Sequence, residues 1–194
     1  MEDVDSEKLI KMFLGTGALL EGHFELTSGL HSNKYFQCAL LLQNPHFAGE
    51  ICRKIANNFK EFKVDLVAGP AVGGIIVAHE VARAFNIKSV FTERVNGKMR
   101  LRRGFSVEKG QKVLLVEDVV TTGGSILELV SLFRGVGAEV VGVGSIVDRS
   151  GGKKPFPVPF RPLLVLDVES FSPEQCPMCK KGDKPVKPGS RKKG

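Results

Sequence analysis

Two adjacent carboxylates followed by a hydroxyl- and glycine-rich turn form the stretch of this sequence with the most evident chemistry. Glu117 and Asp118 end an apolar run at residues 113–116, and a polar turn at residues 121–125 comes shortly after them. The short apolar run predicts a buried strand of a parallel sheet. Apolar residues then recur at helical spacing through residues 126–133. The predicted order is a strand, a polar turn and the start of a helix.

This order of elements would create an anion site with acidic neighbours. Backbone N–H groups of turn 121–125 can point at a phosphate, and the N-terminus of the following helix adds a partial positive charge. Glu117 and Asp118 would suit ribose hydroxyls, from which they can accept hydrogen bonds, or Mg²⁺, which prefers oxygen ligands. The pattern therefore indicates a phosphorylated sugar as ligand. An ordinary acidic βα turn is the alternative interpretation.

A second glycine-rich loop lies at residues 69–74, with the sequence Gly-Pro-Ala-Val-Gly-Gly. It follows a strand predicted for residues 64–68 and precedes a helix predicted for residues 75–85. Backbone amides of such a loop can bind a second phosphate group. The loop lacks the lysine of a P-loop and the spacing of a dinucleotide-binding motif. A tight βα turn remains the alternative.

A strongly basic segment at residues 94–105 follows a strand predicted for residues 88–92. Its closely spaced cations would repel one another unless an anion draws them together. One interpretation is a mobile lid that closes over a pyrophosphate and excludes water. The other is a solvated hairpin.

Candidates for holding a flat, acidic ligand come from two distant parts of the chain. Tyr35 and Phe36, in a hairpin layer predicted for residues 18–42, offer aromatic faces, and Lys34 offers a cation. Arg149 follows a strand predicted for residues 138–147, where an arginine can hold a carboxylate in a bidentate fork. In the alternative interpretation, these residues belong to the core or to the solvated surface.

Residues 113–125 resemble the phosphoribosyl-pyrophosphate (PRPP) motif of the type I phosphoribosyltransferases, and residues 15–170 are similar to the orotate phosphoribosyltransferases of that family. The resemblance implies a doubly wound, mainly parallel α/β sheet with a small N-terminal hood over the base. It also implies transfer of ribose 5-phosphate from PRPP to orotate, in pyrimidine (UMP) biosynthesis, with Mg²⁺ as cofactor. Another purine or pyrimidine phosphoribosyltransferase, or a PRPP-sensing regulator on the same fold, remains the alternative.

The resemblance also implies a role for individual residues. Many relatives carry a histidine in the basic loop, and this chain has none there, so the proton donor could be Lys98, Arg100, Arg102 or Arg103. The implied catalytic residues are Lys98, Arg94, Arg100, Arg102 and Asp118. The implied orotate-binding residues are Thr121, Arg149, Tyr35 and Phe36. The implied PRPP-binding residues are Glu117, Asp118, Val119, Val120, Thr121, Thr122, Gly123, Gly124, Ser125, Pro70, Ala71, Gly73, Arg94 and Lys98.

The four cysteines are too few for a disulfide framework in a domain of this size. Cys176 and Cys179, in the sequence Cys-Pro-Met-Cys, have half the spacing of a zinc ribbon, but no second CxxC or HxxxH pair completes four ligands. A metal site would need histidines from the fold or from a second subunit. Reduced structural thiols, a zinc site and a redox pair are the three interpretations.

Composition predicts a globular protein, with 42% hydrophobic and 25% charged residues. We expect one phosphoribosyltransferase domain over residues 1–175, with a hood at about 15–40 plus the C-terminal segment and a core at about 44–150. A CxxC and Lys/Pro-rich tail over residues 176–194 would follow.

The net charge of +7 is concentrated in the tail, because residues 180–194 hold seven Lys or Arg and one Asp. A short basic tail more often aids solubility, so nucleic-acid binding is not expected. No apolar run approaches the roughly 20 residues of a membrane span, and the acidic N-terminus is unlike a secretory signal. We expect a cytoplasmic enzyme, and the resemblance implies a homodimer that shares the basic loop between subunits.

Overall fold

The structure, a computed structural model, describes residues 5–26, 29–152, 156–166 and 170–188. The helices are α1 (Ser6–Gly15), α2 (Cys38–Leu42), α3 (Pro45–Asn57), α4 (Gly73–Phe85), α5 (Gly124–Gly135) and α6 (Pro177–Lys180). The strands are β1 (Leu19–Glu25), β2 (His31–Phe36), β3 (Leu66–Pro70), β4 (Lys88–Val95), β5 (Lys98–Leu101), β6 (Lys112–Val120), β7 (Glu139–Asp148), β8 (Phe160–Val165) and β9 (Ser170–Phe171).

The larger sheet has six strands in the order β5-β4-β3-β6-β7-β8. Only β5 runs antiparallel to its neighbour, and the other four pairings are parallel. Helices cover both faces, which explains why the strands at the centre consist of nearly uninterrupted apolar residues. The doubly wound, mainly parallel sheet predicted from the sequence is therefore confirmed.

Two hydrophobic cores lie on opposite faces of this sheet. Along β6, Leu114 and Val116 pack with residues of α3 and α4, whereas Val113 and Leu115 pack with residues of α5. The alternation follows from the two-residue period of a strand. The two cores hold the carboxyl end of β6 in a fixed position between them.

The switch in strand order lies between β3 and β6. The chain moves from β3 to β4 on one side and later returns as β6 on the other side of β3. In an open α/β sheet, ligands bind beyond the carboxyl ends of the strands at such a point. Both glycine-rich segments, at residues 69–74 and 121–125, lie at these two strand ends.

The second sheet is the hood, with strand order β1-β2-β9. Both pairings are antiparallel, and the C-terminal segment adds a short parallel bridge between Phe24 and Val186. The hood thus combines an N-terminal hairpin with residues that lie near the C-terminus. Residues 27–28, between β1 and β2, and residues 189–194 of the basic tail lie outside the described residues.

The hairpin layer predicted for residues 18–42 differs from the structure at its end. The chain reverses between Leu26 and Leu30, where Gly29 N–H donates to Leu26 O at 2.9 Å and Leu26 N–H donates to Leu30 O at 2.8 Å. Residues 38–42 form α2 and not a strand, since a short run of apolar residues has no periodicity that separates helix from strand.

The longest described helices have 13 residues, and no described helix combines the length and apolar character needed to cross a membrane.

Candidate active site

The turn after β6 presents backbone and hydroxyl groups at the start of α5. Gly123 adopts a φ of 78°, a left-handed conformation that favours glycine, and serves as the N-cap of the helix. Thr121 and Thr122 on the approach to the helix are exposed. The Gly124 N–H donates to Thr122 Oγ1 at 3.5 Å. The turn therefore leaves polar groups and the positive end of α5 available to an anion.

Glu117 and Asp118 lie at the end of β6 in an environment that disfavours their charges. Burial, followed by the neighbouring charge of Asp118, raises the pKa of Glu117 to about 8. Burial also raises the pKa of Asp118, although backbone hydrogen bonds oppose the shift. Without a ligand, stability should therefore fall as pH rises through the window from 4.5 to about 8, because the folded state then binds more protons than the unfolded chain. Hydroxyl donors or a cation would relieve this cost.

The glycine-rich loop after β3 approaches these carboxylates closely. A Cβ atom at Gly73 would lie 2.3 Å from Asp118 Oδ2, and one at Gly69 would lie 2.4 Å from the carbonyl oxygen of Gly74. The loop is tied to β4 by a hydrogen bond of 2.8 Å from Ala71 N to Thr92 O. Glycine at position 73 is thus required by close packing, and both candidate anion sites meet at this contact.

Arg149 extends from the end of β7 toward the hood. Its guanidinium carbon lies 5.9 Å from the ring centroid of Phe36, and Phe36 in turn packs edge-on against Phe13 at 5.3 Å. Arg149 Nε is buried and has no hydrogen-bond partner among the described residues. Burial of the guanidinium also lowers its pKa. An anionic partner such as a carboxylate would satisfy this group.

Tyr35 links Arg149 to the carboxylates electrostatically. The pKa of Tyr35 is raised by burial and then by the charge of Asp118, while Arg149 acts in the opposite direction. The phenol is therefore within electrostatic reach of both groups. Phe36 is only 6% exposed and belongs to the core, so its main observed contacts are with Phe13 and Arg149.

The basic segment forms the β4–β5 hairpin, which turns at Asn96 and Gly97. The Arg94 guanidinium lies 2.8 Å from Glu128 Oε1 and also donates to the carbonyl oxygen of Gly97. Met99 N–H donates to the same Glu128 carboxylate at 3.2 Å. Glu128 therefore fastens the hairpin to α5.

The other cations of the hairpin fall into two groups. Arg103 pairs with Glu93 at 2.8 Å. Lys98, Arg100 and Arg102 are exposed. Arg94 and Arg103 are exposed as well, but each is held in an ion pair with a glutamate.

Comparison with known proteins identifies the family. A sequence model of the phosphoribosyl transferase domain matches residues 39–157. An orotate phosphoribosyltransferase of Carboxydothermus hydrogenoformans is 58% identical over 186 residues, which are 95% of this chain and 97% of that protein. The chain belongs to the orotate phosphoribosyltransferase family. Another family member, from Desulforamulus reducens, is 53% identical over 188 residues, 97% of this chain and 98% of that protein.

A solved orotate phosphoribosyltransferase structure supports the same assignment. The Mycobacterium tuberculosis enzyme, in complex with inorganic phosphate, superimposes with a TM-score of 0.66 at 26% identity. The match covers 81% of this chain and 95% of that chain. The enzyme class predicted from residues 113–125 is confirmed.

For this orotate phosphoribosyltransferase family member, the structure groups some predicted site residues and separates others. Asp118 lies against Gly73 and within electrostatic reach of Tyr35. The Arg94 guanidinium is instead engaged by Glu128, and its predicted contact with PRPP stays a prediction.

Sequence reasoning missed two residues of this region. Cys38 is buried, and its pKa is raised by burial and by the charge of Asp118. Glu128 holds the hairpin. Neither position carries a local signal, since a lone cysteine in an apolar run and a glutamate on a helix are both ordinary. Contacts between distant segments define their roles.

Proposed function

We propose that this enzyme transfers ribose 5-phosphate from PRPP to orotate, producing orotidine 5′-phosphate and pyrophosphate in pyrimidine (UMP) biosynthesis. The observation that carries the proposal is the buried Nε atom of Arg149, which has no hydrogen-bond partner among the described residues. It lies beside Tyr35 and Phe36 and at the same edge of the sheet as the paired carboxylates. An acidic, planar base would match these groups, because a carboxylate pairs with arginine and an aromatic ring packs on an aromatic face.

PRPP would occupy the space between the two glycine-rich turns. In this arrangement the turn at 121–125 binds the 5-phosphate through backbone amides and hydroxyls. Glu117 and Asp118 accept hydrogen bonds from the ribose hydroxyls. The loop containing Pro70, Ala71 and Gly73 binds the pyrophosphate. The raised carboxyl pKa values support this assignment, because hydroxyl donors stabilise the charged form that the empty site disfavours.

In the proposed reaction, a bond forms between the ribose C1 atom and a ring nitrogen of orotate while the bond from C1 to a pyrophosphate oxygen breaks. The proton on that ring nitrogen is lost, and the departing pyrophosphate can accept it. Orotate is already an anion, so the enzyme needs little base catalysis. Positioning of the two substrates and neutralisation of the leaving group should dominate the rate enhancement.

Mg²⁺ is part of this proposal, carried mainly by PRPP. The donor set fits, because the Asp118 carboxylate lies against Gly73 of the proposed pyrophosphate loop and carboxylate oxygens are ligands that Mg²⁺ prefers. Bound Mg²⁺ would supply charge neutralisation on the pyrophosphate.

The β4–β5 hairpin is the proposed lid, and we propose that it acts in a homodimer on the site of the neighbouring subunit. Its exposed cations, Lys98, Arg100 and Arg102, would neutralise the negative charge that develops on the leaving pyrophosphate. The ion pair between Arg94 and Glu128 is more than one-third exposed on both sides, so its release would cost little. That small cost supports movement of the hairpin during turnover.

A cytoplasmic location is also proposed. All four cysteines are free thiols, as expected in a reducing compartment. Immunodetection of the native protein in the cytosolic fraction would test the location.

A base-panel assay tests the proposed activity. Purified protein is supplied with PRPP and Mg²⁺, and pyrophosphate release is measured with orotate, adenine, guanine, xanthine or uracil as acceptor. We expect release with orotate alone. Pyrophosphate release with another base, and not with orotate, would show that the other base is the substrate. PRPP binding without turnover, together with salt-sensitive binding to DNA or RNA, would favour a regulator instead.

A further inference from the structure

A cluster of four metal-ligating side chains lies outside the proposed active site. His23 comes from β1, His31 from β2, and Cys176 and Cys179 from the segment around α6. One ligand atom from each residue lies within 4.8 Å of the ligand atoms of the other three. The second pair of ligands that the Cys-Pro-Met-Cys segment lacks in sequence is therefore supplied by the hood.

The separations within the cluster fit a tetrahedral metal site. His23 Nε2 lies 3.4 Å from Cys176 Sγ and 3.7 Å from Cys179 Sγ, while His31 Nδ1 lies 3.3 Å from Cys179 Sγ. Zinc bonds of about 2.0–2.1 Å to nitrogen and about 2.3 Å to sulfur give tetrahedron edges of about 3.3–3.8 Å. The two histidine nitrogens are closer, at 2.9 Å. Small rotations of the side chains would open a central position for one ion.

A second contact selects the histidine tautomer that such a site needs. His23 Nδ1 lies 3.0 Å from the backbone carbonyl oxygen of Asp183. A carbonyl can only accept, so Nδ1 carries the proton and Nε2 directs its lone pair into the cluster, toward His31 Nδ1 and the two sulfurs. Metal-bound histidines commonly use this arrangement to fix the orientation of the ring. The contact therefore orients His23 for metal binding.

The turn around the cysteines is also well ordered by hydrogen bonds. Lys180 N–H donates to Cys176 O at 3.1 Å, and Gly182 N–H donates to Cys179 O at 2.9 Å. These bonds hold both thiols on the side of the turn that faces the histidines. Three of the four side chains are shielded from solvent, since His23, His31 and Cys176 are 9%, 5% and 0% exposed, while Cys179 is partly exposed.

We propose that His23, His31, Cys176 and Cys179 bind one structural Zn²⁺ that fastens the C-terminal segment to the hood. Two thiolates and two imidazoles form a closed set typical of structural zinc, with no position left for a substrate. Such a link would stabilise the hood, because its third strand, β9, has only two residues and forms few hydrogen bonds with β2. In small units, a metal can supply stability that a small core does not.

The test is the metal content of the full-length protein, purified without chelators and then incubated with Zn²⁺ and desalted. We expect about one zinc per chain, and less than about one tenth in the Cys176→Ser and His31→Ala variants, because removing a ligand opens the site. Replacement of zinc by Co²⁺ in the wild-type protein should give the intense visible absorption of tetrahedral thiolate-bound cobalt. Cys179→His, which keeps four ligands, should retain the metal.

Two matched controls lie outside the cluster. Cys52→Ser changes another fully buried cysteine, on α3, and His46→Ala changes an exposed histidine on the same helix. Both variants should retain about one zinc per chain. The wild type, these two controls and the Cys179→His variant should lose thermal stability when a strong chelator is added, whereas the Cys176→Ser and His31→Ala variants should not.

Three outcomes would overturn the proposal. The first is a wild-type protein that holds no zinc and shows no tetrahedral cobalt spectrum. The second is zinc retained undiminished in the Cys176→Ser and His31→Ala variants. The third is a Cys176–Cys179 disulfide, or stoichiometric iron, in place of zinc in the native protein. The cobalt measurement uses the unaltered chain, so misfolding of a variant cannot decide the result.

Discussion

Gly73 and Asp118 touch across the switch point of the sheet, and a Cβ atom at position 73 would lie 2.3 Å from Asp118 Oδ2. The backbone of the proposed pyrophosphate loop therefore rests directly on a proposed ribose-binding carboxylate. Any side chain at position 73 must displace one or the other. The two halves of the PRPP site depend on each other through this contact.

Gly73→Ala should therefore impair PRPP binding. We expect kcat/KM for PRPP to fall by about 100-fold or more, because small displacements in a positioned site are costly. Steady-state kinetics and PRPP titration calorimetry measure the loss. Gly15→Ala is the matched control, since no atom lies within 4 Å of a Cβ built there. If the Gly73→Ala variant binds PRPP with wild-type affinity, the contact between position 73 and Asp118 must be able to relax without cost.

PRPP binding should release protons from Glu117. Its pKa of about 8 in the ligand-free protein leaves it largely protonated at neutral pH. Ribose hydroxyl donors and Mg²⁺ favour the charged form, so binding should lower this pKa and affinity should rise with pH up to about 8. Calorimetry of Mg²⁺–PRPP binding in two buffers with different ionisation enthalpies counts the protons. PRPP binding to the Glu117→Gln variant should release fewer protons than binding to the wild type. Equal proton release by the two proteins would show that the protons come from another group.

Arg149→Ala should mainly weaken binding of the base, orotate. A charge-assisted hydrogen bond contributes about 1.5–3 kcal/mol, so KM for orotate should rise about 10- to 100-fold while PRPP affinity is nearly unchanged. Thermal stability should not fall much, because the variant also removes a buried nitrogen without a partner.

A matched arginine control is available for this experiment. Arg161 also lies over aromatic rings, 5.2 Å from Phe59 and 5.1 Å from Phe62, but on β8. Arg161→Ala should leave KM for orotate unchanged. An equal rise in KM for PRPP in the Arg149→Ala variant would contradict a specific role in base binding.

Lys98→Ala should lower kcat with little change in KM for orotate. If the lysine stabilises charge on the leaving group, its loss should cost about 10²–10³ in kcat. Single-turnover kinetics separates this chemical effect from product release. Lys88→Ala alters an exposed lysine at the far end of β4 and should be neutral. If Lys98→Ala keeps the wild-type kcat, stabilisation of the leaving group would be assigned to Arg100 or Arg102.

Mixing two variants that are each nearly inactive at low orotate concentration should restore activity if the lid serves the partner's site. In a random mixture of Arg149→Ala and Lys98→Ala chains, half of the dimers are mixed and each has one intact site, giving about one quarter of wild-type activity. The assay is orotate-dependent pyrophosphate release after subunit exchange. Self-contained sites would leave the mixture as inactive as its components.

The sequence by itself determined the parts of the site that lie within one short segment. Residues 113–125 form a strand, a turn and a helix start, so local periodicity and glycine placement were sufficient to predict them. The location of a ligand site beyond the carboxyl ends of the strands then followed from the parallel sheet that such units build. The family resemblance was confirmed for the same reason, since its motif is contiguous.

Only the tertiary structure decided which distant side chains meet. Cys176 and His23 are 153 residues apart in sequence yet 3.4 Å apart in space, and the sequence showed only half of a metal site. Likewise, Glu128 reaches Arg94 from another element. Residue spacing reports neighbours along one helix or strand, whereas these pairs are set by how the hood and the sheet pack against other segments.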